Sequence, residues 1–247
     1  MKKITGVILA AGKGTRLNNG IPSDIPKVLH LLHGRPLILH CIDSFKKADI
    51  EDIILVVGHK GFLVKQAIGN GFKYAVQDKQ LGTAHAVLVA KDFIPQDTEY
   101  IIVLNGDNPL FKDKTISQLI NQCIEKEATI SLVTAEVSNP AGLGRIIKDK
   151  DGHVLKIIEE KETSLKEKKI KEINAGCYCF KNDWLWENID KVKLSPHNEY
   201  YLTDLVSIAV KKGEKVTALK VKNSKEAIGI NTPKHLEDAH KAYKKLL

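Results

Sequence analysis

The residues able to do chemistry gather beside four turns. In the first, Leu9-Ala10-Ala11-Gly12-Lys13-Gly14-Thr15-Arg16, an apolar run enters a glycine-containing loop with two cations. Glycines let backbone N–H groups approach a phosphate, and Lys13 and Arg16 can neutralise it. Two better-known phosphate loops do not fit. G-x-G-x-x-G needs glycine where Leu17 stands, and the Walker pattern needs Ser or Thr where Gly14 follows Lys13. Taken alone, the Gly-x-Gly is as readily a structural turn. The second cluster, Pro26-Lys27-Val28-Leu29-His30, holds a lysine that can fold back over the same phosphates. The third is Gln77-Asp78-Lys79-Gln80-Leu81-Gly82-Thr83-Ala84-His85-Ala86. Gln77 and Gln80 offer donors and acceptors suited to a base edge, and Gly82-Thr83 opens a helix whose N-terminus favours an anion or a ligand carbonyl. The fourth, Asn105-Gly106-Asp107, sets a carboxylate at the end of an apolar run, where an Asx turn is the competing explanation. His85, at a helix start, reads as a packing or capping residue, and the nine histidines need no catalytic task.

These clusters need elements to position them, and the periodicity supplies an alternation. Ile4–Ala10 is almost continuously apolar, as a strand buried on both faces must be. Strands are expected also at 53–57, 72–76, 100–104 and 129–136, with helices at Leu37–Lys47, Gly61–Ile68, 83–91 and 115–127. Strands alternating with helices of this length imply βαβ units and a mostly parallel sheet. Ligands of open α/β sheets bind at the carboxyl ends of the strands, where the first and fourth clusters fall. After residue 140 the texture changes. Lys150-Asp151-Gly152 between two β-rich runs, Arg145–Lys148 and Val154–Ile158, signals a hairpin. Residues 162–171 are charge-rich and read as an exposed helix or loop. A strand at 173–180, a helix at 202–212, a strand at 216–221 and a helix at 233–247 capped by Thr232, with Pro233 in its first turn, complete the chain.

The 247 residues, 43% hydrophobic and 28% charged, describe an ordinary globular protein with a sizeable core and exclude disorder or collagen-like structure. No apolar run approaches the ~18 residues of a membrane span, and the amino terminus lacks the pattern of a secretory signal, so a cytoplasmic location without membrane partners is expected. Cys41, Cys123, Cys177 and Cys179 form neither a disulfide framework nor a zinc pattern and are expected to be reduced, buried small hydrophobes. The net charge of +8 is spread along the chain; with 6% aromatic residues and no nucleic-acid-binding motif, no nucleic acid is expected as partner. The positive balance suits polyanionic small molecules.

The segments L-A-A-G-x-G-T-R, P-K-V-L-H, Q-x-x-Q-L-G-T-A-H-A, G-D-x-P-L, G-x-G-R-I, E-I-N-x-G, E-Y-Y-L-T-D and G-[IV]-N occur in that order between Ile4 and Asn231. In them the sequence resembles the uridylyltransferase domain of the bacterial bifunctional N-acetylglucosamine-1-phosphate uridylyltransferase/glucosamine-1-phosphate acetyltransferases. The first segment belongs to sugar nucleotidyltransferases broadly, whereas Q-L-G-T-A-H-A with E-Y-Y-L-T-D is much narrower. The resemblance implies a Rossmann-like α/β fold of the nucleotide-diphospho-sugar transferase type. That fold has a mostly parallel mixed sheet, helices on both faces and a smaller β-rich sugar-binding part. A nucleotidyltransferase domain would span 1–232 and a C-terminal helix 233–247. The resemblance further implies Mg²⁺-dependent transfer of the uridylyl group of UTP to N-acetylglucosamine 1-phosphate, a step of cell-envelope precursor synthesis. Leu9, Ala11, Gly12 and Gly14 would wrap the nucleotide, with Arg16 and Lys27 on its phosphates as catalytic cations. Gln77, Gln80 and Gly82 would hold the uracil with Thr83 nearby, and Asp107 and Asn231 would ligate the metal. Gly144, Glu159 and Asn174 would contact the amino sugar, with Tyr201 and Thr203 lining the same pocket.

The chain departs from the family in places. The stretch from Arg16 to Lys27 is a few residues longer than usual. Asn105 and Leu143 stand where tyrosine is common, and Ala175 where the family has threonine beside the sugar pocket. These changes spare the nucleotide side and bear on the identity of the sugar. The hexapeptide repeats of the acetyltransferase half do not follow, so acetyl transfer is expected absent, and a monomer or weak homodimer is expected. Three alternatives stand beside the leading one: another sugar 1-phosphate or pyrimidine nucleotide, a non-catalytic nucleotide-sugar sensing module, and a nucleic-acid binder.

Overall fold

The computed structural model describes residues 2–14, 17 and 24–246, the last three by their backbone alone. At its centre is β1 (Ile4–Ala10), whose almost continuous apolar run is explained by parallel neighbours on both sides. These are β4 (Asp52–Val57) and β6 (Tyr100–Asn105). Beyond β4 lies β5 (Lys73–Val76), and beyond β6 the antiparallel β10 (Glu172–Lys181), then β7 (Ile130–Glu136) and β11 (Val216–Lys220). A hairpin of β8 (Arg145–Lys148) and β9 (Val154–Ile158) joins the sheet through β10. Among the described residues the sheet therefore has nine strands in mixed orientation.

Alternation along each strand divides the core between two faces. Ile8, Ile102 and Leu104 face α1 (Leu37–Lys47) and α4 (Asp113–Glu125), which answer with Ile38, Cys41, Ile42, Phe45, Ile116, Leu119, Ile120 and Cys123. Val7, Ile101 and Val103 face α3 (Thr83–Leu88), α5 (Asn182–Asn188) and α6 (Asp204–Lys211). The four cysteines are buried free thiols, as their apolar settings require. α2 (Gly61–Ile68) contributes Val64 to the first face. Among the described residues no helix is long and apolar enough to cross a membrane.

Several boundaries shift from the sequence reading. The helix expected at 83–91 ends at Leu88 and continues as a 3-10 turn, Lys91–Phe93; that at 202–212 begins at Asp204. Residues 162–171 form no α-helix. Their 3-10 turns, Glu160–Glu162 and Glu167–Lys169, are short, and Ser164 and Glu167 hydrogen-bond each other reciprocally, closing a single turn. The Asp-Gly hairpin forms with Gly152 at φ +87°. Two elements were not read from sequence. One is α5. The other is a two-stranded ribbon of β2 (Leu31–Leu32) and β3 (Arg35–Pro36), turned by His33 and Gly34, both at positive φ as the mirror-image hairpin turns demand. This ribbon carries α7 (Pro233–Leu246) through a third apolar cluster, which joins Leu17, Leu32, Leu37, Leu110, Ile230, Ala239 and Ala242. Thr232 caps α7 by accepting the His235 N–H at 3.2 Å.

Candidate active site

The strand order reverses at β1: the chain moves from β1 out to β4 and β5, then returns to place β6 on the other side. Such a reversal leaves a crevice at the carboxyl edge of the sheet. A cavity of about 460 Å³ lies there, lined from residues 9–12 at the end of β1, from Gln77, Gln80, Gly82 and Thr83 beyond β5, from Asn105, Asp107 and Asn108 at the end of β6, and from Gly229 and Asn231 before α7. β10 closes it on the far side. Cys177 pairs with Leu104, so the first residues of β10 overhang the edge of β6. The register breaks between Asn174 and Tyr178, a bulge in which Gly176 takes φ +75° and lies so near Asn105 that a Cβ would sit 2.4 Å from its amide nitrogen.

At one pole, Lys27 carries its ammonium to the Asp107 carboxylate and, at 2.8 Å, to Asn231 Oδ1. The backbone fixes this convergence, since Ile230 N–H donates to the Asp107 carbonyl at 2.8 Å. Gly14, at φ +67°, packs against the Lys27 stem, where a Cβ would come within 2.6 Å of another. Gly12 lines the cavity, and a Cβ there would meet no heavy atom within 4 Å. Two carbonyl-type oxygens around one cation, beside an open loop of main-chain amides, can hold a divalent metal and phosphate oxygens together.

At the second pole, the Gln77 amide nitrogen donates to the Gly82 carbonyl at 3.0 Å and lies 2.9 Å from His85 Nδ1, while Gln80 Nε2 donates to the Gln77 carbonyl at 3.2 Å. Gly82 needs to be glycine: φ is +104°, and a Cβ would stand 2.5 Å from the Tyr200 carbonyl oxygen. That seam is sewn by Tyr200 N–H to Leu81 O at 2.7 Å, Ala84 N–H to Tyr200 O at 2.9 Å and Leu202 N–H to Thr83 Oγ1 at 2.9 Å.

The third pole lies under the β8–β9 hairpin. Thr203 donates to Glu159 Oε1 at 2.9 Å, and burial pushes the Glu159 carboxyl above its ordinary range, with Asp204, Glu162 and Glu199 adding repulsion. Asn174 donates to the Tyr178 hydroxyl at 2.5 Å and accepts from Gly176 N–H at 3.1 Å. Arg145, 1% exposed, ties Leu143 O to Glu160 and so braces the strand end before Glu159. Acceptors and amides in a half-open pocket suit hydroxyl-rich ligands.

The structure brings Leu9, Ala11, Gly12, Lys27, Gln77, Gln80, Gly82, Thr83, Asp107, Gly144, Glu159, Asn174, Thr203 and Asn231 to the wall of this one cavity. Gly14 stands behind Lys27 instead. Tyr201 is buried but does not line the cavity; its predecessor Tyr200 makes the backbone seam. Arg16 lies outside the described residues. The sequence reading missed Asn105, Asn108, Tyr178 and Glu199 as lining residues. Asn108, 4% exposed, donates to Ala175 O at 2.6 Å and thereby holds the bulge; its place in G-D-x-P-L was the available signal.

The sheet, its switch-point cavity and the amide-lined loop define a nucleotide-handling α/β protein, and the chain belongs to the nucleotidyl transferase family, whose pattern matches residues 5–245. It is 43% identical over 240 residues to the bifunctional protein GlmU of Acetivibrio thermocellus, covering 97% of this chain and 51% of that protein. It is 42% identical over 234 residues to the bifunctional protein GlmU of Clostridioides difficile, covering 94% and 50%. The chain thus spans about half the length of these curated relatives. Among solved structures, an apo UDP-glucose pyrophosphorylase shares the fold with a TM-score of 0.79 over all of both chains, at 19% identity.

Proposed function

We propose that this chain transfers the uridylyl group of UTP to N-acetyl-α-D-glucosamine 1-phosphate, giving UDP-N-acetylglucosamine and pyrophosphate. The observation that carries the reading is the convergence, on one cavity, of a Lys27–Asp107–Asn231 cation site, a Gln77–Gln80–Gly82 edge and a Glu159–Asn174 pocket. These three answer the three parts of the reaction: the phosphates, the base and the sugar.

A phosphate oxygen of the sugar phosphate attacks the α-phosphorus of UTP, a new P–O bond forms, and the bond to the bridging oxygen breaks to release pyrophosphate. The nucleophile is already anionic, so no general base is required. The protein supplies position and charge neutralisation. Gly12 and its neighbours would present main-chain amides to the phosphates, and Lys27 would leave the oxygens it now holds to follow the charge that develops on pyrophosphate. Arg16 shares that task in the sequence-based reading. Enzymes of this family generally depend on a divalent metal, and we read it here as Mg²⁺, a hard ion that takes oxygen ligands and keeps waters. Asp107 and Asn231 would hold it, since their oxygens already converge on one positive charge. Bound there, the ion would screen the phosphates and polarise the α-phosphorus. Glu159 and Asn174 would orient the sugar hydroxyls and amide.

Pyrophosphate release, measured with Mg²⁺ over UTP, dTTP, CTP and ATP against N-acetylglucosamine-, glucosamine- and glucose-1-phosphate, tests the proposal. One strong combination at UTP with N-acetylglucosamine 1-phosphate is expected. A maximum at another sugar overturns the sugar assignment, and no turnover overturns the reaction.

A further inference from the structure

The Gln77 side chain, 3% exposed, has its amide nitrogen between two fixed groups, the Gly82 carbonyl at 3.0 Å and His85 Nδ1 at 2.9 Å. A carbonyl only accepts, so the amide atom facing Gly82 is nitrogen. Its two N–H groups are then both committed, and His85 Nδ1 must be the unprotonated ring nitrogen, with the proton on Nε2. A flipped carboxamide would set Oε1 against the Gly82 oxygen and the Nδ1 lone pair. Gln80 is similarly committed, its amide nitrogen donating to the Gln77 carbonyl. Gln77 Oε1 has no partner among the described residues, nor is it among the buried polar atoms sealed off without a hydrogen bond, so it opens into the cavity its residue lines. Gly82 N–H, on the same wall, likewise has no partner among the described residues. The base side therefore presents an acceptor and a donor in fixed positions.

We infer that His85 is a positioning residue for base selection: with the Gly82 carbonyl it holds Gln77 so that Oε1 stays toward the cavity, and the site accepts an imide-type pyrimidine, uracil or thymine, and refuses cytosine. An imide edge offers N3–H beside a carbonyl oxygen, the complement of an acceptor beside a donor. Cytosine carries a lone pair at N3 and an amino group at C4, so its edge sets lone pair against Oε1 and N–H against N–H. A carboxamide free to turn could serve either base, and the fixed one cannot. Buried polar groups left unpaired by the wrong ligand are what give such sites their discrimination. The inference rests on the nucleotide reading above.

The test is kcat/KM for UTP and for CTP, with N-acetylglucosamine 1-phosphate and Mg²⁺, in the unaltered chain, His85→Leu and His85→Asn. His85→Leu removes the acceptor and is expected to lower the UTP-to-CTP ratio roughly tenfold or more. His85→Asn can place Oδ1 where Nδ1 stood and should restore most of the ratio. Equal losses on both nucleotides in His85→Leu would reduce His85 to a packing residue and overturn the inference. Should His85→Leu not fold, nitrogen-15 NMR of the unaltered chain decides. An unprotonated Nδ1 with the proton on Nε2 supports the inference, and a protonated Nδ1 overturns it. Absence of turnover with any pyrimidine nucleotide in the unaltered chain would overturn the functional reading, and the inference with it. UTP preference that persists through His85→Leu overturns the inference alone.

Discussion

Lys27 and Glu159 each hold a charge where the fold alone gains little from it. The Lys27 ammonium, its side chain 11% exposed, lies on the two oxygens proposed for the metal, so it competes for them in the free chain. Lys27→Met is expected to raise the affinity of the free chain for Mn²⁺, read by electron paramagnetic resonance, while lowering kcat about 10²–10³-fold. If KM alone rises, Lys27 contributes uniform binding instead. Asp107→Asn keeps the shape but removes the carboxylate, and should lose both Mn²⁺ binding and turnover with little change in melting temperature. Glu159 follows from its raised carboxyl. Unfolded glutamate titrates near ~4.3. Between that pH and the higher folded value the native chain binds more protons than the unfolded one, so stability falls as pH rises through the window. Glu159→Gln cannot ionise. It should melt at the same temperature as the unaltered chain below pH 4 and higher at pH 8, about 2–4 °C for each kcal/mol recovered. The same variant is expected to bind the sugar phosphate more weakly. Equal melting at pH 8 would mean that the carboxylate pays no desolvation cost.

Loops and strand ends translate these residues into a site, and two glycines separate fold from function. Gly12 faces open space, whereas Gly82 is pressed against the Tyr200 backbone at φ +104°. Gly12→Ala should leave thermal unfolding unchanged and weaken UTP binding by calorimetry, because the added methyl occupies room a phosphate needs. Gly82→Ala must break the seam to Tyr200 and should destabilise the chain by more than ~1 kcal/mol. The reverse pattern would exchange the roles given to the two loops. Elements with strong local patterning were legible in the sequence: β1 and α1 fall at Ile4–Ala10 and Leu37–Lys47, as their apolar runs and spacing require. The elements set by distant partners were not. The β2–β3 ribbon is only two residues a strand and owes its form to α7, and the bulge at Gly176 answers to Asn105 and Asn108.

Across the whole molecule, the site's poles are backed by different cores, a division the sequence motifs do not display. They name residues at the cavity wall but not what stands behind them, which is why Asn108 escaped notice and Tyr201, behind the wall, was expected in front of it. The base pole rests on the face holding Ala84, Ala86 and Val87. The cation pole rests on the third cluster. Leu17 follows the glycine loop, Leu110 follows Asp107 in sequence, and Ile230 precedes Asn231; all three belong to one cluster with Ala239 and Ala242 of α7. α7 is thus the support of the end proposed for the phosphates and the metal, although none of its described side chains lines the cavity. Ala239, 0% exposed, tests this division. Ala239→Glu buries a charge without a designed partner and should release α7 from the ribbon. The expected result is loss of Mn²⁺ affinity and of turnover, with uridine binding, read by calorimetry, and the main unfolding transition nearly preserved. If uridine binding falls in step with Mn²⁺ affinity, the two poles share one support and the division fails. If neither changes, α7 carries no part of the site.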